Sequence, residues 1–154
     1  MNGAYVFCMF LGDSYLPGVL VAAHSIFNTG SQTDVVCMVT PDVSIEAKIK
    51  MKSVNIKVIN VDYIITKAYL DERPRMKKRY PNIDKFSTKW NCLKLVQYNH
   101  IFFMDIDMIV QMSIDSIFTK FSDNMPATRM VFNYEYGNNT MISLPGLCLS
   151  TGRY

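Results

Sequence analysis

Two carboxylates, Asp105 and Asp107, stand inside the otherwise apolar run IFFMDIDMIV, residues 101–110. Burying an unpaired carboxylate is costly, so such a pair belongs either in solvent at a strand's end or against a cation. Residues i and i+2 of an extended segment point the same way. That predicts Asp105 and Asp107 converging on one side, with Ile106 turned to the core. Two hard oxygen ligands suit Mn2+ or Mg2+ and not a thiol-seeking metal, and such sites take their remaining ligands from water and a bound diphosphate.

An Asp-x-Asp is weak evidence by itself. With Asp at roughly 6% of average sequence, a chance match occurs about once in every two chains of this length. Its placement after four apolar residues, at the carboxyl end of a predicted strand, removes most chance matches. A solvated, salt-bridged pair is the bland alternative. Other constellations are poorer. There is no GxGxxG and no phosphate-binding P-loop. His24 falls in mid-helix and His100 at the start of its strand, and both read as structural. No serine or cysteine has a histidine partner that spacing can supply. The catalytic residue is therefore not identified.

The elements that must hold these carboxylates follow from periodicity. Ala4 to Leu11 is a continuous apolar run, the pattern of a strand buried on both faces. Gly12-Asp13-Ser14 is a turn, and Val19, Leu20, Ala22, Ala23 and Ile26 repeat at helical spacing up to Asn28-Thr29-Gly30. Asp34 to Thr40 is a second strand. Ser44 caps a helix that runs to about Met51, and Asn55 to Val61 is a third strand. Residues 62–86 are polar, with a basic cluster at Arg73 to Arg79 that reads as a surface excursion. Ser87 is expected to cap a helix reaching about Tyr98, ahead of a fourth strand from His100 to Asp105. A short helical turn near Ile114 to Phe118 follows. Ala127 to Phe132 and Gly146 to Leu149 read as further strands. The β-α-β-α-β order with short connections predicts an α/β fold with an open, mostly parallel sheet flanked by helices. Ligands of such sheets bind beyond the carboxyl ends of the strands, which is where Asp105 falls.

Composition sets the limits. The 154 residues are 49% hydrophobic and 19% charged, with a net charge of +3. That is a globular chain, expected to form a single domain over residues 1–154, and its charge is too small to argue for nucleic acid. No run is long enough for a membrane span, and AYVFCMFL lacks the flanks of a leader peptide. Cys8, Cys37, Cys92 and Cys148 form no CxxC pair and sit in apolar surroundings, so they read as small core residues of a cytoplasmic chain. The sequon Asn138-Asn139-Thr140 matters only in a secreted chain.

Three blocks resemble glycosyltransferase family 8, the group containing glycogenin and galactinol synthase. AYVFCMFLGDSYLPGVLVAAHSI is similar to the family's first strand, donor loop and first helix. DVVCMVTPDVS is similar to its second strand and following turn. STKWNCLKLVQYNHIFFMDIDMIVQMSIDSIF is similar to its donor-binding helix, Asp-x-Asp strand and following turn. The resemblance covers roughly residues 4–130 and looks closest to viral and plant-type members. It implies a GT-A fold and metal-dependent, retaining transfer of a hexosyl group from a UDP-sugar to a sugar, polyol or protein acceptor. Asp105 and Asp107 then match the metal-binding carboxylates, and the backbone at Ile106 lies near the ribose. Lys89 matches a basic donor-binding position. Leu11, Gly12 and Tyr15 fall in the nucleoside loop, although Leu11 and Gly12 replace polar residues there. Arg79 matches a donor-reaching arginine only approximately.

The resemblance also implies a third metal ligand, a histidine, and an acceptor-binding half far downstream. The chain is therefore expected to be a donor-binding portion, or else a non-catalytic remnant that binds nucleotide-sugar weakly or acts as an interaction module. An unpaired sheet edge near Gly146 to Leu149 is expected to favour a homodimer. Glycoside hydrolysis fits less well, because its carboxylates must flank the sugar about 5 Å or more apart, whereas this pair is aimed one way.

Overall fold

The computed structural model describes residues 2–66, 78–120, 127–128 and 146–150. Strand β1 (Gly3–Met9) leads through a turn into helix α1 (Leu16–Asn28), then β2 (Asp34–Val39), α2 (Ile45–Ser53) and β3 (Lys57–Asn60). A 3-10 helix, Ile83–Lys94, precedes β4 (His100–Met104). A short helix α3 (Ile117–Lys120), β5 (Ala127–Thr128) and β6 (Gly146–Ser150) follow. The six strands form one sheet in the order β3-β2-β1-β4-β6-β5. The four strands β3, β2, β1 and β4 are mutually parallel, while β6 runs antiparallel to both β4 and β5.

The unbroken apolar runs are explained by a sheet covered on both faces. Odd residues of β1 (Tyr5, Phe7, Met9) pack with Val35, Cys37, Phe102 and Met104 against Val19, Ala22, Ala23 and Ile26 of α1. Even residues (Ala4, Val6, Cys8) pack with Val36, Met38 and Ile101 against Cys92, Leu95 and Tyr98 on the opposite face. Cys8, Cys37 and Cys92 are buried free thiols, as expected for core residues. Cys148 lies in β6, and nothing further is described of its side chain. Among the described residues no helix is long and apolar enough to cross a membrane.

Ser44 caps α2 as its sequence position implies, its hydroxyl accepting the Ala47 N–H at 3.1 Å. Four expectations are corrected. The helix before β4 begins at Ile83 and not at Ser87, is of the 3-10 type, and stops at Lys94. The Ser87 hydroxyl instead bonds the Thr66 hydroxyl at 2.6 Å. β1 ends at Met9 and not at Leu11, because Leu11 (φ 66°) and Gly12 (φ 79°) turn into the left-handed region. β4 ends at Met104, so Asp105 is the first residue past the strand. Finally, β6 pairs on both sides, with β4 and with β5, which removes the unpaired edge expected near Gly146 to Leu149. The sequon, Arg73 to Lys77 of the basic cluster and most of the strand expected at 127–132 lie outside the described residues.

Candidate functional site

Beyond the carboxyl ends of β1 and β4 lies a cavity of about 440 Å³. It gathers Leu11, Tyr15, Lys89, Asp105, Ile106 and Asp107, with Phe10, Phe86, Phe103 and Met104 supplying apolar wall. Of the seven residues singled out as candidates, six line this one cavity. The seventh, Gly12, lies beside it in the turn that presents Leu11.

Each wall has a local cause. In a 3-10 helix residues three apart eclipse, so Phe86, Lys89 and Cys92 share one face. Cys92 is buried beneath, against β1, while Phe86 and Lys89 stand above it at the cavity. The Phe86 ring meets Phe10 edge-on at 6.0 Å, which fixes the helix against the end of β1. Phe86 was not identified from the sequence, although it precedes Lys89 by one 3-10 turn. The helix expected to begin at Ser87 leaves Phe86 outside it, whereas the observed helix begins at Ile83 and includes it.

The carboxylates sit on a turn, not on an extended segment, so strand alternation is not what brings both to this cavity. Asp105 and Asp107 are exposed, and Ile106 packs against the core between them. Helix α1 holds this turn at two points. Gly18 lets the Ile106 carbonyl come so near that a Cβ at position 18 would lie 3.0 Å from its oxygen. Further along, the Val110 N–H donates to the Ser25 hydroxyl at 2.9 Å. Among the described residues the single ion pair joins Lys57 and Asp34, so Asp105, Asp107 and Lys89 are not spent on one another. Three or more metal-ligating side chains do not cluster anywhere among the described residues.

Around the cavity the charges are arranged by burial. The Cys8 thiol at its floor is pushed up to about 12 by burial, reinforced by Cys92 and only partly opposed by Lys89. It is a neutral wall at physiological pH. Arg79 lies elsewhere, with its guanidinium 5.4 Å from the Tyr80 ring centroid, and is not among the cavity's lining. His24 is exposed on α1 and His100 is buried at the start of β4, both away from the cavity.

The first turn is shaped by groups from the neighbouring loops. The Leu11 N–H donates to the Tyr63 hydroxyl at 3.0 Å, and that hydroxyl donates to the Asp42 carboxylate at 2.8 Å. Asp13 accepts the Ser44 N–H at 2.9 Å. Nothing in local spacing signals these contacts, which join positions far apart in the chain.

Comparison with known proteins identifies the family and the fold. The model of glycosyl transferase family 8 matches residues 6–141. An uncharacterised protein of Acanthamoeba polyphaga mimivirus is 34% identical over 117 residues, which is 75% of this chain and 39% of that protein. Glycogenin of Neurospora crassa is 30% identical over 113 residues, covering 71% of this chain and 16% of glycogenin. The chain thus spans well under half the length of these relatives. The crystal structure of the galactosyltransferase LgtC with donor and acceptor sugar analogues superposes with a TM-score of 0.57 at 20% identity, over 96% of this chain and 58% of LgtC.

Proposed function

The chain belongs to glycosyl transferase family 8 and has an open sheet of the GT-A kind, and from that premise we propose that it is a donor-binding domain, residues 1–154, for transfer of a hexosyl group from a UDP-sugar. The observation that carries the reading is the convergence of Asp105, Asp107 and Lys89 on one rim cavity that also holds an exposed aromatic ring, Tyr15. A nucleoside diphosphate has matching parts: a base to stack, and a diphosphate to be neutralised.

Asp105 and Asp107 fit a hard divalent ion. Both are exposed oxygen donors, and neither is engaged in an ion pair among the described residues. When bound, Mn2+ or Mg2+ would supply Lewis-acid neutralisation of the diphosphate. The remaining work falls to the chain's own groups. Lys89 stabilises negative charge as it grows on the departing diphosphate, an interaction stronger in the transition state than in the ground state. Tyr15 offers a face for the base, and the backbone at Ile106 flanks the ribose. The acceptor is a sugar, polyol or protein.

Calorimetry with UDP and a panel of nucleotide sugars, with and without Mn2+, tests the proposal. Binding is expected to require the ion, and Asp105→Asn with Asp107→Asn is expected to abolish that requirement together with most of the affinity. Because both side chains are exposed, the double variant should melt near the parent temperature. If it binds Mn2+ and UDP as the parent does, the assignment is wrong.

A further inference from the structure

We infer that Tyr63 and Asp42 are positioning residues for the nucleoside end of the rim cavity, holding the left-handed turn at Leu11 and Gly12 in the shape a nucleoside meets. The inference rests on the nucleotide-binding reading above. Its first observation is strain. Leu11 has φ 66°, a conformation that a side chain with a Cβ rarely adopts. Such a residue persists only where its surroundings over-determine it, and these residues gather at ligand clamps and switch regions.

The surroundings here are a brace across three adjacent strands. Leu11 and Gly12 follow β1, Asp42 follows β2, and Tyr63 follows β3. The Tyr63 hydroxyl accepts the Leu11 N–H at 3.0 Å and donates to Asp42 Oδ2 at 2.8 Å. The Thr40 hydroxyl donates to Asp42 Oδ1 at 2.5 Å. The Lys85 ammonium lies 5.1 Å from the Tyr63 ring centroid, within the range of cation–π attraction. Leu11 lines the cavity, whereas Thr40, Asp42 and Tyr63 do not. Any effect of the brace on a ligand must therefore pass through the turn it shapes. The brace also draws the Leu11 N–H onto Tyr63, so the turn meets a ligand with an apolar side chain and an occupied donor.

A merely structural brace predicts lost stability with no preference among ligands. A positioning brace predicts a loss confined to the nucleoside. The test is calorimetry of the chain with uridine, UDP and inorganic pyrophosphate, all with Mn2+. Tyr63→Phe keeps the ring and removes the hydroxyl. It is expected to weaken uridine and UDP by about 3- to 10-fold, the scale of one hydrogen bond, and to leave pyrophosphate unchanged. Asp42→Asn, which keeps one acceptor oxygen, should fall between the parent and Tyr63→Phe. Leu11→Gly supplies the decisive background, because glycine adopts the left-handed turn without strain. On that background, Tyr63→Phe should cost less than about 2-fold, a coupling expected only if the two residues act through one turn. An equal loss for pyrophosphate, or the same loss in both backgrounds, overturns the inference. A parent chain that binds no UDP with Mn2+ overturns the nucleotide reading itself, and does so before any substitution is made.

Discussion

Lys89 shares the rim cavity with Asp105 and Asp107, and its worth depends on what it touches. Its ammonium lies 6.0 Å from the Trp90 ring centroid, a contact at the outer limit of cation–π attraction. The lysine is therefore held loosely and can turn to an incoming anion. A charge-assisted hydrogen bond is worth about 1.5–3 kcal/mol. Lys89→Ala should cost that much UDP affinity and leave uridine affinity nearly unchanged, as titration calorimetry can read. Equal losses for both ligands point instead to lost packing along the 3-10 helix. Cys8 does not compete for this cation, since burial keeps its thiol protonated.

Helix α1 is the element that sets the carboxylate turn, and Gly18 is where this can be probed. Alanine in place of a helical glycine normally stabilises by roughly 0.5–1 kcal/mol. Here its methyl would press on the Ile106 carbonyl, which must give by a few tenths of an ångström. Gly18→Ala is thus expected to leave the melting temperature close to the parent's while weakening Mn2+-dependent UDP binding several-fold. Unchanged binding would mean that the Ile106 turn is not held by this approach. Legibility in the sequence divides along similar lines. The parallel strands were legible because runs such as AYVFCM and DVVCMV are apolar on both faces, and their carboxyl ends placed Asp105 at the rim. Apolar spacing at i and i+3 fits an α-helix and a 3-10 helix alike, so the type and start of Ile83–Lys94 were not legible. Leu11 carried no signal for a positive φ, since glycine or asparagine is the usual mark. The brace from Tyr63 to Leu11 spans 52 positions, and no local pattern encodes such a contact.

Across the whole molecule, both ends of the parallel sheet are tied by carboxylates, which makes acid the natural probe of its integrity. At the amino ends of the strands, Asp34 accepts from Lys57 at 2.5 Å and from the Tyr98 hydroxyl at 2.8 Å. At the carboxyl ends, Asp42 joins the loops after β1, β2 and β3. Partial burial raises the pKa of each, but the hydrogen bonds outweigh it, and both carboxyls lie below the ordinary value of 3.8. A depressed folded-state pKa means that the unfolded chain binds more protons. The contribution to stability is therefore complete above the unfolded value, near 4, and is lost as pH falls through the lower folded value. The Lys57–Asp34 pair is partly solvated, so its share is discounted to about 0.2–1 kcal/mol. Urea denaturation should give a flat midpoint from about pH 7 to pH 5 and a falling one below about pH 4. Asp34→Asn removes one of the two ties. It should lower the midpoint modestly at neutral pH and make the acid decline shallower, because an amide at this position has no proton to gain. An acid profile of unchanged slope in that variant would show that Asp34 has the same pKa in the folded and unfolded chain, and that its side-chain tie contributes nothing to the amino ends of the strands.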